Sequence, residues 1–328
     1  MPFKIIRNDI TKIKADIIVN SANPKPIVGG GTDSAVYNAA GREELLAARR
    51  KIGDMSPGEA DFTDAFALDA KYIIHTVGPV WEGGGKGELE VLKKCYRNSL
   101  ELAGKLECKS IAFPLISTGT YGFPRDEALQ IALSEINRFL LSSEMLVILV
   151  VFDKKSFELS SRLVSEIEEY IDEQKVVEYG RREYGARSRN LLAEDHRLAD
   201  LLKANKSGKL ADFLAGAGQS FQEKLFELID KSGMSDVEVY KKANIDRKVF
   251  SSIKCKKNYK PSKKTAISLA IALELDMPAM KDLLSRAEIA LSPSSRFDLI
   301  ISYFVEHGIY DIFEINAALF DYDQPILA

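Results

Sequence analysis

The sequence predicts an α/β domain, a mostly parallel sheet with helices on both faces, followed by an all-α helical domain. Three observations carry this. Up to about residue 172, short runs rich in β-branched and aromatic residues alternate with amphipathic stretches. A charged stretch broken by glycines and lacking a sustained period follows at 173–219. From 220 to 328 the chain reads as helix, with Ser-Gly, Asn, Pro and Asp breaks.

The elements follow in order. Strand-like runs lie at 3–7, 16–20, 59–66, 72–77, 110–115 and 145–152. Helical patterns lie at 33–40, 43–51, 88–105, 126–141 and 155–171. In 88–105, Leu89, Leu92, Tyr96, Leu100 and Ala103 recur at helical spacing. The connector 173–219 is expected to be partly helical, its arginines forming a solvated face. Helices are expected beyond it at 221–231, 235–243, 247–254, 263–275, 278–287, 296–307 and 312–320, with Ser235 and Asp246 as N-caps and Pro278 in a first turn.

Composition bounds the function. A length of 328 residues suits two domains, and a hydrophobic share of 46% supplies a full core. A net charge of −3 gives no global nucleic-acid signal, which leaves room for a local basic patch. Cys95, Cys108 and Cys255 have no paired spacing, which argues for a reducing compartment and against a cysteine zinc site. The polar first residues and the lack of a long apolar run predict a soluble cytoplasmic protein with no membrane partner.

Two loops carry the chemistry. The first follows the apolar run Ile17-Ile18-Val19 as Asn20-Ser21-Ala22-Asn23, then Gly29-Gly30-Gly31-Thr32-Asp33. The second follows Ile111-Ala112-Phe113-Pro114 and includes Ser117-Thr118-Gly119-Thr120-Tyr121-Gly122. Glycine lets backbone N–H groups approach phosphate oxygens closely, and helix starts favour negative charge. Two such loops can clasp a diphosphate. The first has neither the lysine of a Walker loop nor the spaced glycines of a dinucleotide fingerprint.

Together with Asn8-Asp9-Ile10-Thr11, Ala39-Ala40-Gly41 and His75-Thr76-Val77-Gly78-Pro79, these loops resemble the macrodomain, an ADP-ribose-binding module, over residues 1–172. The resemblance implies a three-layer α/β/α fold, ADP-ribose as the ligand, and no cofactor or metal. It implies that Asp9 accepts a hydrogen bond from the adenine amino group while the backbone of Ile10 faces the ring. It places Asn23 at the distal ribose and Asp33 at the spacing of the hydrolase branch. Each residue also has a plainer role: an aspartate ends a strand before a turn, asparagines bond their own backbone, and Asp33 begins a helix. The carboxamides of Asn20 and Asn23 suit ribose hydroxyls. Gly29, Gly30 and Gly31, with Ser117, Thr118, Gly119 and Thr120, suit the diphosphate, and Tyr121 would close over the distal ribose.

The reading that follows is a hydrolase that removes ADP-ribose from modified macromolecules or deacetylates O-acetyl-ADP-ribose, with Asn23 and Asp33 positioning the water. The alternative is a non-catalytic ADP-ribose sensor. Thr32 stands where the family has an aliphatic residue and Tyr37 where histidine is frequent. His75 reads as structural, and no Cys/His cluster supports a zinc-dependent branch.

In the helical part, residues 234–253 resemble the helix-turn-helix of phage-repressor-like domains, with a turn at Asn244. Arg247, Lys248, Ser251, Ser252, Lys256, Lys257 and Lys260 are the candidate DNA contacts. The second helix has few of the side chains that read bases bidentately, and such geometry also serves protein contacts, so a DNA or a protein partner remains open.

Overall fold

Six strands form one sheet: β1 (Phe3–Arg7), β2 (Ile17–Ser21), β3 (Ala60–Asp64), β4 (Tyr72–Thr76), β5 (Ser110–Pro114) and β6 (Leu146–Val151). The structure is a computed structural model that describes residues 2–153, 157, 159–192, 219–256 and 259–327. The strand order is β1-β6-β5-β2-β4-β3, and every neighbouring pair is parallel except β3 with β4. The run expected over 59–66 is thus shorter, and a left-handed Phe66 in the turn beyond β3 reverses the chain.

The central strand β2 explains the layering. Its Ile17, Ile18, Val19 and Asn20 are all buried, as befits a strand covered on both faces. Side chains alternate across the sheet. Ile18 joins Val36, Tyr37 and Leu45 of α1 (Gly31–Ala40) and α2 (Arg42–Ile52). Ile17 and Val19 join Leu92, Tyr96, Leu129 and Ile136 of α3 (Glu88–Lys105) and α4 (Arg125–Leu140). The result is a three-layer sandwich whose parallel strands open their C-terminal ends toward one cleft.

A helix expected over 155–171 begins at Ser161 and continues as α5 (Ser161–Leu192) into the stretch read as a connector. Its first turns are anchored by buried Ile167, Tyr170 and Ile171. An anchored helix propagates through charged residues at little cost per residue, which the missing apolar period did not reveal. Among the described residues seven helices follow: α6 (Phe221–Ser232), α7 (Asp236–Lys242), α8 (Arg247–Cys255), α9 (Lys263–Ala272), α10 (Met277–Ser285), α11 (Arg296–Glu306) and α12 (Ile312–Asp321). Ser235 caps α7 in a capping box with Glu238, Asp246 accepts from Lys248 N at the start of α8, and Pro278 lies in the first turn of α10.

The two halves share one apolar core, running from Phe3 through Phe113 to Ile301, Phe313 and Leu327. They meet at β1, the last strand at one edge of the sheet. Asn244, buried and left-handed at φ 51°, donates from Nδ2 to Phe3 O at 3.2 Å and accepts at Oδ1 from Phe3 N at 3.1 Å. The carboxamide thereby takes the place of a neighbouring strand. Around it the Phe3 and Phe313 rings lie 4.7 Å apart, and Tyr240 Oη donates to Glu144 at 2.9 Å. Among the described residues no helix is long and apolar enough to cross a membrane.

Candidate functional site

Two connecting cavities, of about 370 and 270 Å³, lie at the C-terminal ends of the parallel strands. Asn8, Asp9, Ile10, Val150 and Phe152 belong to the first, and Asn23, Asp33 and Tyr121 to the second. Gly31, Thr32, Leu115 and Gly119 line both, so the two glycine-bearing loops face each other where the cavities join.

The second cavity is built from the end of β2. The chain leaves the sheet at Ser21, and buried Arg49 of α2 ties it down, donating to Gly53 O, to Asn23 O at 3.2 Å and to Pro24 O at 3.3 Å. A buried guanidinium needs such acceptors, and in supplying them the backbone of Asn23 is fixed. The side chain of Asn23 donates to Ile27 O at 3.2 Å and accepts from Tyr121 Oη at 3.3 Å. Tyr121 thus spans from the second loop to the first.

Asp33 lies in the first turn of α1 and is only 4% exposed. Its Oδ1 accepts from Asn20 Nδ2 and its Oδ2 from Gly29 N, each at 2.6 Å. Burial raises its pKa, against the lowering effect of those two hydrogen bonds and of Arg49 and Arg42. Each carboxylate oxygen keeps a second lone-pair site for a ligand or water.

Two of the expected ligand contacts are engaged within the protein itself. Asn20 is fully buried within β2 and lies behind the cleft, holding Asp33 rather than lining the wall. Strand alternation points it, like Ile18 two residues earlier, to the face covered by α1, where Asp33 lies. The amide of Gly29 is already spent on Asp33, so the first loop offers Gly30 and Gly31 toward the cleft while Gly29 serves by close approach. Tyr37 is also buried and off the wall, its hydroxyl pKa pushed up to about 12 by burial and by Asp33, so the departure from the family's histidine falls in the core.

In the first cavity, Asp9 caps the short helical turn Ile10–Lys12 by accepting from Thr11 N at 2.9 Å and Thr11 Oγ1 at 2.8 Å, all through Oδ1. Ile10 is buried beneath it. Phe152, 71% exposed just past β6, lines the same cavity and was missed by sequence reasoning. A large apolar ring at the mouth of a cavity is a platform for a planar ring system. Arg49 is passed over too, since it reads as one of a charged run ending α2.

The second loop holds Ser117 in a left-handed conformation, φ 66°, with its buried Oγ lacking any partner among the described residues. Thr118 Oγ1 turns back to Leu115 O at 3.0 Å, while Gly119 and Thr120 face the cavity. Non-glycine residues held there cost energy and cluster at binding sites.

Away from the cleft, Arg247, Lys248, Ser251 and Lys256 are exposed and Ser252 is half-buried. Lys260 is engaged with Glu288 at 2.7 Å, and Lys257 lies outside the described residues. Among the described residues no group of three or more His, Cys, Asp or Glu is placed to hold a metal ion.

The chain is similar to known proteins over this same half. The family model described as "Macro domain" matches residues 19–132. A macro domain-containing protein of Mesorhizobium japonicum is 47% identical over 49% of this chain and 93% of its own length. An O-acetyl-ADP-ribose deacetylase of Klebsiella pneumoniae is 43% identical over 49% of this chain and 95% of its own length. A solved Oceanobacillus iheyensis macrodomain with ADP is 41% identical, spans 47% of this chain and 85% of its own, and has a TM-score of 0.45. Through its N-terminal half, the chain belongs to the macro domain family.

Proposed function

We propose that the cleft binds ADP-ribose and that the protein is a hydrolase acting at the distal ribose, on O-acetyl-ADP-ribose or an ADP-ribosylated macromolecule. The adenine would lie against Phe152 with Asp9 at its amino group, and the diphosphate between Gly30–Gly31 and the Ser117–Thr120 loop. The distal ribose would then lie beside Asn23, Asp33 and Tyr121. The observation that carries catalysis is Asp33 itself. Its carboxylate lies beside Asn23 in the second cavity, and burial makes it a better base than a solvated carboxylate. A water held between Asn23 and Asp33 attacks the acyl or anomeric carbon and loses a proton to Asp33. The acyl–ribose oxygen bond, or the bond from the anomeric carbon to the macromolecule, breaks, and the leaving oxygen or nitrogen takes that proton back from Asp33, freeing acetate or ADP-ribose. The deacetylase name of the Klebsiella relative supports the same reaction class.

Turnover of O-acetyl-ADP-ribose and of mono-ADP-ribosylated protein by wild type and Asp33→Ala tests this. Asp33→Ala should lose activity while keeping ADP-ribose affinity within about tenfold. Wild-type rates in Asp33→Ala would overturn the catalytic assignment. AMP should bind more weakly than ADP-ribose in calorimetry, since it leaves the second cavity empty.

A second reading, a non-catalytic sensor with a helix-turn-helix that docks DNA or a protein, rests on α7 and α8. Their connecting turn is short, and Arg247, Lys248 and Ser251 are exposed along α8. Gel shifts of the full chain over a salt range separate the partners, because phosphate contacts weaken steeply with salt.

A further inference from the structure

We infer that His75 is a positioning residue for the reaction: acting through Asn20, it fixes the orientation of the Asp33 carboxylate. This rests on the role given to Asp33 above. Asn20 and His75 are partners in register on the adjacent parallel strands β2 and β4, so their side chains project to the same face. Both are fully buried, and neither lines the cleft. Asn20 Nδ2 lies 2.6 Å from Asp33 Oδ1 and 3.3 Å from His75 Nδ1, and Thr63 Oγ1 of β3 lies 3.1 Å from His75 Nε2.

The hydrogens must be distributed in one way. An amide nitrogen carries two, and the carboxylate takes the first. The second reaches His75 only if Nδ1 is bare, so Nε2 carries the ring proton and donates it to Thr63 Oγ1. Turning the amide over would aim its oxygen at both the carboxylate and a lone pair. Neutral His75 therefore locks the amide, and the amide locks Asp33. Burial and Arg49 push the imidazolium pKa down to about 3, so the ring stays neutral at ordinary pH.

The arrangement carries a cost that packing alone does not explain. Asn20 Oδ1 is buried without a partner among the described residues, and an unpaired buried acceptor is destabilising. A residue kept for stability alone would be apolar here. Among the described residues, Arg42 and Arg49 from α2, Tyr37 on α1 and Tyr121 from the second loop also interact electrostatically with Asp33.

The test uses the full chain as wild type, His75→Phe and His75→Gln. Expected for His75→Phe is a fall in kcat of about tenfold with KM nearly unchanged, as misplacement of a reacting group produces. The Asp33 carboxyl, followed by carbon NMR, should titrate at higher pH than in wild type, because a bond that favours its charged form is loosened. His75→Gln, whose amide oxygen accepts a hydrogen bond, should recover much of both. Wild-type kcat and titration in His75→Phe, or no recovery in His75→Gln, would overturn the inference. Nitrogen NMR of the wild-type ring decides it even if a variant does not fold: a proton on Nε2 is required, and one on Nδ1 sinks the idea. If wild type proves inactive on every substrate, the hydrolase reading fails, while the Asp33 titration and the ring tautomer still report on His75.

Discussion

At Gly29 an added Cβ would lie 2.5 Å from Asn23 Nδ2 and 3.3 Å from Asp33 Oδ2. The glycine is thus a steric condition for bringing the amide and the acid together, a role that a phosphate-loop reading does not assign to it. Gly29→Ala should displace the Asn23 carboxamide and lower kcat by about 10- to 100-fold, with ADP-ribose affinity less affected; steady-state kinetics beside calorimetry checks this. Gly78 makes the opposite case. Its added Cβ would fall 2.0 Å from Ser117 Oγ, so Gly78→Ala should displace the second loop and weaken binding first. Buried ionisable groups set the pH response. His75 titrates near 3 when folded and about 6.5 when unfolded, so below pH 6.5 the unfolded chain binds the extra proton. Stability should therefore fall as pH drops from 6.5 toward 3, by roughly 1.4 kcal/mol per unit from this group. Asp33, with its raised pKa, acts in the opposite sense over a narrower window, because there the folded chain binds the proton more readily. Denaturant midpoints against pH for wild type and His75→Gln would show the steeper acid slope only in wild type.

The turn between α7 and α8 is legible in the sequence as a turn, but its task is not. Asn244 satisfies both backbone groups of Phe3 on the edge strand, and its left-handed backbone suits asparagine or glycine. Asn244→Ala should cost roughly 1–3 kcal/mol through the two orphaned groups, with backbone strain added. Asn244→Gly removes the strain but not the orphaned groups, so its melting temperature should remain well below wild type; a wild-type value would mean that conformation alone matters. The same contrast describes what sequence can and cannot convey. Strand runs such as Ile17-Ile18-Val19, the caps Ser235 and Asp246, and the pairing of two glycine loops are local patterns, and each lies where the sequence places it. Asn20 behind Asp33, Arg49 under Asn23, and Phe152 at the cavity mouth depend on which residues meet across strands and helices. A period along one segment carries no record of such meetings. The extent of α5 is hidden for a related reason, since the anchor at Ile167, Tyr170 and Ile171 lies in its first turns and the charged sequence beyond them has no sustained apolar period.

The relative from Mesorhizobium is nearly exhausted by the match, so the helical half is what this chain adds to that architecture. The addition is not a tethered neighbour. The core passes from the sheet into α9, α11 and α12 without a break, and α5 binds the halves from a second side. There Tyr303 Oη donates to Glu166 at 3.0 Å, Tyr170 Oη to Glu306 at 2.9 Å, and Tyr322 Oη to Val164 O at 3.1 Å. Beside the first cavity, Arg7 pairs with Asp323 at 3.1 Å and lies over the Phe320 ring, one residue before Asn8. Shared burial on this scale makes separate unfolding of either half costly, because each would expose the apolar face that the other covers. The expected calorimetric trace is a single transition whose van't Hoff and calorimetric enthalpies agree. A ligand that binds only the folded state raises the midpoint of the whole cooperative unit. Saturating ADP-ribose should accordingly shift the entire transition upward, including probes placed only in the helical half. Two transitions, with ADP-ribose moving one of them, would mean that the halves fold independently and that occupancy of the cleft is not felt in the helices.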